Sequence, residues 1–328
     1  MATPDTTAAG TTATPPVAGA RGDGATAPDA ASFADPPLAA VREAVSRALA
    51  EDVLPLGDLT ASLIDPDRRA VLAIVSRADG VAAGRLCALE TFAQVDGSVD
   101  IEWRIADGGR LHPGAVVAEV RGRLRSILTA ERTALNFLCH LSGVATATRQ
   151  LVDAVRSANP DTQVLDTRKT LPGLRALQKA AVRAGGGTNH RGSLSEGVLV
   201  KDNHLGGIGI AEAVGRARRR WPGRMVEVEC DTLDQVTESV AAGATVIMLD
   251  NMGPDQVAQA VALVRAAGSS ALVEVSGGVT AATAPAFAAA GADLVSVGAL
   301  THSVVALDLG LDLVTAPAGG SGAPLDRA

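Results

Sequence analysis

Apolar positions along this chain change their period twice, and the changes divide it. Leu38, Val41, Val45 and Leu49 recur at helical spacing and predict a first amphipathic helix. Short β-type runs follow at 71–75, 101–105 and 116–120, with turns such as Asp107-Gly108-Gly109 between them. This part reads as a small α+β domain. From Ser126 the texture turns helical, with apolar stripes through Leu135, Leu138, Leu141, Val144, Leu151, Val152 and Val155. From about Gln163 the pattern becomes strand, loop, helix, repeated. The strands predicted are 163–166, 197–200, 225–230, 245–250, 271–276 and 293–298. They are β-branched and apolar through the middle, as strands buried on both faces should be. Ala-rich helices lie between them, for example at 234–242 and 254–267. Such alternation implies a parallel sheet with right-handed crossovers, either a closed barrel or an open doubly wound sheet.

The strand ends favour the barrel. They read Asp166-Thr167-Arg168-Lys169, Lys201-Asp202-Asn203-His204, Glu229, Asp250-Asn251, Ser276-Gly277-Gly278 and Gly298. In a β/α barrel these ends form one mouth, where active sites are built. An open sheet would offer such a set only at one crevice, not at six successive strands.

Composition narrows the function. Hydrophobic residues make up 47% of the 328, which is enough for a sizeable core. Aromatics are 2% with no Tyr, and basic minus acidic residues is 29 − 36 = −7, so neither a base-stacking nucleic-acid surface nor an anionic membrane is an expected partner. Cys87, Cys139 and Cys230 lack metal-ligand spacing and fit a reducing cytosol without structural zinc. No apolar run is long enough to span a bilayer, and the expectation is a soluble, cytoplasmic protein. Residues 1–34 are nearly all Ala, Thr, Pro, Gly and Asp, match neither a signal nor a transit peptide, and read as a disordered tail.

Against that acidic background stands a basic island. Residues 167–204 hold Arg168, Lys169, Arg175, Lys179, Arg183, Arg191 and Lys201 against only Glu196 and Asp202, so an anion is expected there. The chain has only three Lys (Lys169, Lys179 and Lys201), all in this stretch, where a compact ammonium is wanted rather than a guanidinium. Arg175, Lys179 and Arg183 are spaced i, i+4, i+8 and read mainly as a solvated helix face, whereas Arg168, Lys169 and Lys201 sit at strand ends and read as ligand contacts. Glu229 and Asp250 end neighbouring strands. They either cap the next helix or serve a magnesium ion or a developing positive charge, and Glu227 shares the strand face of Glu229. The turns Ser276-Gly277-Gly278 and Gly298-Ala299 leave backbone N–H groups free for a phosphate. His190 and His204 flank the cationic loop as either contacts or structural hydrogen-bonders. His112 and His140 default to structure, and His302 follows the phosphate-like corner.

These residues together resemble the quinolinate phosphoribosyltransferase family, also called the carboxylating nicotinate-nucleotide pyrophosphorylases. The resemblance is carried by Gly57-Asp58-Leu59-Thr60, Glu131-Arg132-Thr133-Ala134-Leu135-Asn136, Asp166-Thr167-Arg168-Lys169-Thr170 with Pro172-Gly173-Leu174-Arg175, Gly185-Gly186-Gly187 and Asn189-His190-Arg191. It continues through Lys201-Asp202-Asn203-His204, Glu227-Val228-Glu229, Leu249-Asp250-Asn251, Ser276-Gly277-Gly278 and Val297-Gly298-Ala299-Leu300, and runs from about residue 38 to 313. Ser193, Gln178 and Ala180 stand where the family usually has a Gly, an acid and an aromatic.

The resemblance implies an α/β fold: an incomplete, seven-stranded α/β barrel (143–302) with a smaller N-terminal α/β sandwich domain (35–142) to which 303–315 returns, and a flexible tail at 316–328. It implies that quinolinate and 5-phosphoribosyl 1-diphosphate give nicotinate mononucleotide, CO2 and diphosphate, with substrate-associated Mg2+ and no redox cofactor. Arg132 (from the partner of a homodimer), Arg168, His190, Arg191 and Lys201 would hold quinolinate. Lys169 would contact the phosphoribosyl donor or shared charge between the two substrates, Thr167 would be a further substrate contact, and Glu229 and Asp250 would bind the ribose hydroxyls and magnesium. Ser276, Gly277, Gly278 and Gly298 would hold the 5′-phosphate, with Val297 and Ala299 as further substrate contacts. Lys169, Lys201, Glu229 and Asp250 form the expected catalytic set. A related transferase of another ring acid and a non-catalytic phosphosugar sensor are the alternatives.

Overall fold

Helix α1 (Leu38–Val53) buries Val41, Val45 and Leu49, the stripe its spacing predicts. It is followed by β1 (Arg69–Ser76), β2 (Gly80–Val81), α2 (Arg85–Val95), β3 (Asp100–Trp103), β4 (Arg110–Leu111) and β5 (Val116–Arg123). Helix α3 (Leu124–Ala158) then leads to β6 (Gln163–Leu165), α4 (Arg175–Ala184), β7 (Val198–Val200), α5 (Ile210–Arg220), β8 (Val226–Cys230) and α6 (Leu233–Ala242). The chain ends with β9 (Val246–Asp250), α7 (Pro254–Ala266), β10 (Leu272–Ser276), α8 (Ala284–Ala289), β11 (Leu294–Ser296), α9 (Ala299–His302) and β12 (Leu309–Leu313). This computed structural model describes residues 35–314 apart from Leu205, so the tails expected at 1–34 and 316–328 lie outside the described residues.

The N-terminal sheet is antiparallel, in the order β12-β1-β5-β3. Strand β12 pairs with β1 from Leu72↔Leu313 to Ser76↔Leu309, so the return of the chain expected near residue 303 takes the form of an edge strand. Leu72, Ile74, Val117 and Val120 pack against Ile127, Ala130 and Leu138 of α3. Helix α3 does not stop at the boundary expected between 142 and 143. Its 35 residues run on, and Leu151, Val152 and Val155 join the core of the parallel sheet. Gly143, in mid-helix, is where α3 meets the returning chain, because a Cβ there would lie 2.3 Å from the Val305 carbonyl oxygen.

The parallel sheet runs β6-β11-β10-β9-β8-β7. Six strands form where the resemblance implies seven; the seventh is reduced to a single bridge from Thr188 to Leu165, beside β6. Strict alternation sorts the side chains. Val226, Val228, Cys230, Ile247, Leu249, Val273, Val275 and Val295 belong to the apolar core shared with the surrounding helices. The positions between them are mostly polar: Glu227, Glu229, Asp250, Glu274, Ser276 and Ser296, with Met248 among them. The strands are therefore not apolar on both faces, as their sequence suggests. One cavity touches Leu199 of β7, Met248 of β9, Glu274 and Ser276 of β10 and Ser296 of β11 together, so the sheet curls into an incomplete barrel.

Gly143→Ala should therefore destabilise the chain by overpacking, by roughly 1–3 kcal/mol. At about 2–4 °C per kcal/mol, calorimetry should find a melting temperature several degrees lower. An unchanged melting temperature would contradict the seating of the returning chain on α3.

Candidate active site

All strands of the parallel sheet point the same way, so the loops after them gather at one mouth. A cavity of about 270 Å³ opens there, lined by Thr167, Arg168 and Lys169 after β6, His190 and Arg191 after the Thr188 bridge, and Lys201 after β7. Two larger hollows of about 610 Å³ lie elsewhere, one beside Trp221 and Arg224 and one beside Gln150 and Val304; neither brings together such a set of acids and bases.

The cationic wall is built on a buried ion pair. Asp166, just beyond β6, has no exposed surface, and Lys179 on α4 is 7% exposed. Lys179 Nζ donates to Asp166 Oδ1 and, at 2.7 Å, to the carbonyl of His190. The His190 N–H donates to Asp166 Oδ1 at 2.9 Å, and Asn189 Nδ2 to Asp166 Oδ2 at 2.6 Å. Burial pushes the Asp166 carboxyl up and the Lys179 ammonium down, each opposed by the charge of the other. The reading of Arg175, Lys179 and Arg183 as a solvated face is thus overturned. Arg175 donates to Thr170, Gly192 and Arg168. Arg183 donates to Asn189 and to the Asp35 carbonyl. Spacing of i, i+4, i+8 marks one face of a helix, and here that face packs against the loops that carry the site.

Of the remaining cations, Arg168 has a buried Nε without a hydrogen-bond partner. Arg191 donates to the Gly197 carbonyl at 2.9 Å. Lys169 is exposed, with its backbone N–H on Thr167 Oγ1 at 2.9 Å and its carbonyl accepting from Thr301 Oγ1 at 2.8 Å. Lys201 Nζ is paired with Glu229 Oε2, which joins the cationic and acidic sides of the mouth.

The acids are not helix caps. Helix α6 is capped by Thr232, which forms a capping box with Gln235, and α7 starts after Gly253, whose N–H donates to Gln256. Glu229 instead pairs with Lys201 of the cavity wall, and Asp250, two residues beyond Met248 of that wall, accepts from Asn251 Nδ2 at 2.8 Å. The glycine corner beside them is tight. Asn251 and Gly277 both have positive φ (54° and 88°), and a Cβ on Gly277 would lie 2.3 Å from Asn251 Oδ1. A Cβ on Gly298 would meet the Lys169 side chain at 3.0 Å. Among the described residues, the backbone N–H groups of Gly277, Gly278, Gly298 and Ala299 find no acceptor, as a phosphate cradle requires.

Below the cations lies a group that the sequence shows only in part. His190 Nε2 is 3.3 Å from Oε1 and 3.1 Å from Oε2 of Glu227, and 3.6 Å from Oε2 of Glu274. Both acids are at most 1% exposed, and Glu227 Oε2 and Glu274 Oε1 accept no hydrogen bond. Burial opposes a charged imidazole, but the two acids outweigh it and push its pKa up to about 10. Burial raises the Glu227 carboxyl, against the pull of His190. Sequence analysis named Glu227 but missed Glu274; the available signal is that Glu274 precedes Ser276 by two and so shares its face.

The other histidines are peripheral. His204 Nδ1 accepts from the Lys201 N–H at 3.0 Å, His112 contacts the Pro113 carbonyl, and His302 contacts Ser303. His140 is 2.9 Å from Gln178, which is fully buried and also bonds Leu171 and Thr301. The Gln178 departure is thus a structural junction. Ala180 is buried on α4, and Ser193 bonds Ser195 and Glu196 within the loop. Arg132 is exposed on α3 and does not line the cavity of its own chain.

Comparison with known proteins agrees over nearly the whole described chain. Residues 58–142 match the family described as quinolinate phosphoribosyl transferase, N-terminal domain, and residues 144–312 its C-terminal domain. The chain is 43% identical over 279 residues to a nicotinate-nucleotide pyrophosphorylase [carboxylating] of Mycobacterium leprae, covering 84% of this chain and 97% of that one. It is 38% identical over 293 residues to a quinolinate phosphoribosyltransferase [decarboxylating] of Nicotiana glauca, covering 84% and 82%. Among solved structures, the nicotinate-nucleotide pyrophosphorylase from Francisella tularensis superposes with a TM-score of 0.81 at 39% identity, covering 87% of this chain and all of that one.

Lys179→Ala should strand the buried Asp166 charge at a cost of about 3–5 kcal/mol. On a solvated face the same change would fall within about 0.5 kcal/mol. Denaturation of the single variant and of Lys179→Met with Asp166→Asn checks this: the single change should be strongly destabilising, and the double change should recover much of the loss.

Proposed function

Since this chain belongs to the quinolinate phosphoribosyltransferase family, and is a phosphoribosyltransferase acting on quinolinate, we propose how its mouth divides that work. The observation that carries the proposal is a single cavity with Arg168, His190, Arg191 and Lys201 on its wall, with Glu229 paired to that Lys201 and Asp250 two residues beyond the lining residue Met248 on β9. Quinolinate brings two carboxylates on a flat ring, which suits the planar fork of arginine. Arg168, Arg191, His190 and Lys201 grip them, and Lys169 lies between the ring acid and the phosphoribosyl donor. The ring nitrogen attacks the anomeric carbon as the bond to diphosphate breaks. Positive charge develops on the ribose, and Glu229 and Asp250 hold its hydroxyls and stabilise that charge. The free N–H groups of Gly277, Gly278, Gly298 and Ala299 hold the 5′-phosphate, whereas the Val297 N–H is taken by the Leu165 carbonyl.

Once ribosylated, the ring nitrogen is cationic. The carboxylate on the adjacent carbon leaves as CO2, its electron pair stays on that carbon beside the positive nitrogen, and a proton then takes its place. Positioning and electrostatics suffice for this step, and no redox cofactor is involved.

Magnesium enters this reading with the diphosphate. Glu229 and Asp250 can offer two carboxylate ligands, and Mg2+ characteristically keeps waters and substrate phosphates in its remaining positions. The donor set fits, and the metal would offset charge on the departing diphosphate. Release of CO2 and diphosphate from quinolinate should therefore require divalent metal; equal turnover in excess chelator would refute its role.

The exposed Arg132, which does not line the cavity of its own chain, supports a homodimer in which it serves the partner's mouth. Arg132→Ala and Glu229→Ala homodimers should each be nearly inactive. In a mixed dimer one site carries both lesions and the other neither, so co-expression should restore up to about half of wild-type activity, by two-fold symmetry. A folded heterodimer as inactive as its parents would place Arg132 in its own chain's site.

A further inference from the structure

The trio of His190, Glu227 and Glu274 lies under the cationic wall, and the charges around it are arranged unusually. An anion site gains nothing from two carboxylates in its floor unless they act on something else. Among the described residues, the only ion-pair partner of these acids is His190 Nε2, and Arg191 acts on Glu227 through space. The trio's ligand atoms lie within 4.8 Å of one another, yet each acid keeps one oxygen without a hydrogen bond.

One imidazole N–H cannot satisfy two acids and also meet a substrate unless the ring carries its second proton. With Nε2–H committed to the acids, a neutral ring would present the lone pair of Nδ1, which repels a carboxylate. The doubly protonated ring presents an N–H there instead. Among the described residues Nδ1 makes no hydrogen bond or ion pair. We infer that Glu227 and Glu274 are positioning residues: by sharing the Nε2 proton of His190 they fix the ring and keep its Nδ1–H as a charged donor for a carboxylate of the ring substrate. This rests on the reading of the mouth as a quinolinate site.

The other charged groups near His190 do not supply this effect. Arg191 beside it, Arg168 and Lys169 after β6, and Lys201 (itself paired with Glu229) are cations that disfavour a charged imidazole. Lys179 and Asp166 engage only its backbone. The two buried acids are what remains. The two acids face His190 by contact, and Glu227 faces Arg191 through space. The remaining cations are left to face the dianion.

Steady-state kinetics with quinolinate varied at saturating 5-phosphoribosyl 1-diphosphate test the inference across about pH 6 to 9. Wild type should show a nearly constant KM for quinolinate, since the ring stays charged throughout. In Glu274→Gln, which keeps the shape and removes one charge, that KM should climb about tenfold or more as pH rises, roughly one power of ten per unit above the lowered pKa. Its kcat and its KM for the phosphoribosyl donor should change much less, and Glu274→Asp should stay close to wild type. A KM raised equally at every pH, or not raised at all, overturns the inference. Nitrogen NMR of the histidine-labelled full chain, with His190 assigned from His190→Gln, gives a second readout that needs neither a variant acid nor turnover. Both ring nitrogens of His190 should be protonated near pH 8, and a neutral ring would overturn the inference. So would a divalent ion bound by the wild type and lost in Glu274→Gln, because the trio would then be a metal site. If the wild type fails to turn over quinolinate, the parent reading fails, while the NMR result still decides the state of His190.

Discussion

A carboxylate with no exposed surface keeps its charge only where donors surround it, and Asp166 is surrounded by three. The ammonium of Lys179, the amide of Asn189 and the backbone N–H of His190 all converge on its two oxygens. Breaking any of these leaves charge or dipole unmatched in a low-dielectric interior, so the three move as one. Helix α4 is thereby fixed to the end of β6, and the chain after Thr188 is drawn in over the same point. A full seventh strand would have imposed its position through a ladder of backbone bonds. Here one bridge and one buried ion pair do it, and the freed backbone can turn His190 and Arg191 into the cavity.

Above this anchor, opposite charges are kept apart and then joined at one seam. Arginines, lysines and His190 occupy the side formed by β6, the 188–191 segment and β7, while Glu229 and Asp250 close β8 and β9. The seam is the Lys201–Glu229 pair. Transfer to quinolinate requires such a division, because both substrates are anions but the centre being attacked becomes positive. In the proposed reaction each half of the site is matched to one of those needs. Until ligands arrive, the two halves hold each other's nearest charges in place.

Much of this was legible in the amino-acid sequence, and for definite reasons. Barrel strands could be bounded to within one or two residues because each ends on a residue type that cannot continue it, as Ser276-Gly277 and Asp250-Asn251 do. Arg168, Lys201, Glu229 and Asp250 followed from those ends. Lys179 was misjudged because helical spacing defines a face and not what covers it; its partner Asp166 lies on another element. Glu274 was hidden by its valine neighbours, which read as a strand apolar throughout. Only alternation, tied to the polar Ser276, separates its two faces. The shrunken seventh strand left no pattern to detect, since one bridging residue has no period.

Strand β12 carries a consequence for how the protein is made. The N-terminal sheet contains all of its residues but one strand by the time β5 has been synthesised, yet β1 keeps a bare edge. Ser76 must wait for Leu309. On a ribosome, that edge is exposed throughout translation of the barrel, long enough to pair with a neighbouring nascent chain on the same message. Completion of the small domain thus reports that the large one has been built, and a chain stalled within the barrel shows an open strand to quality control.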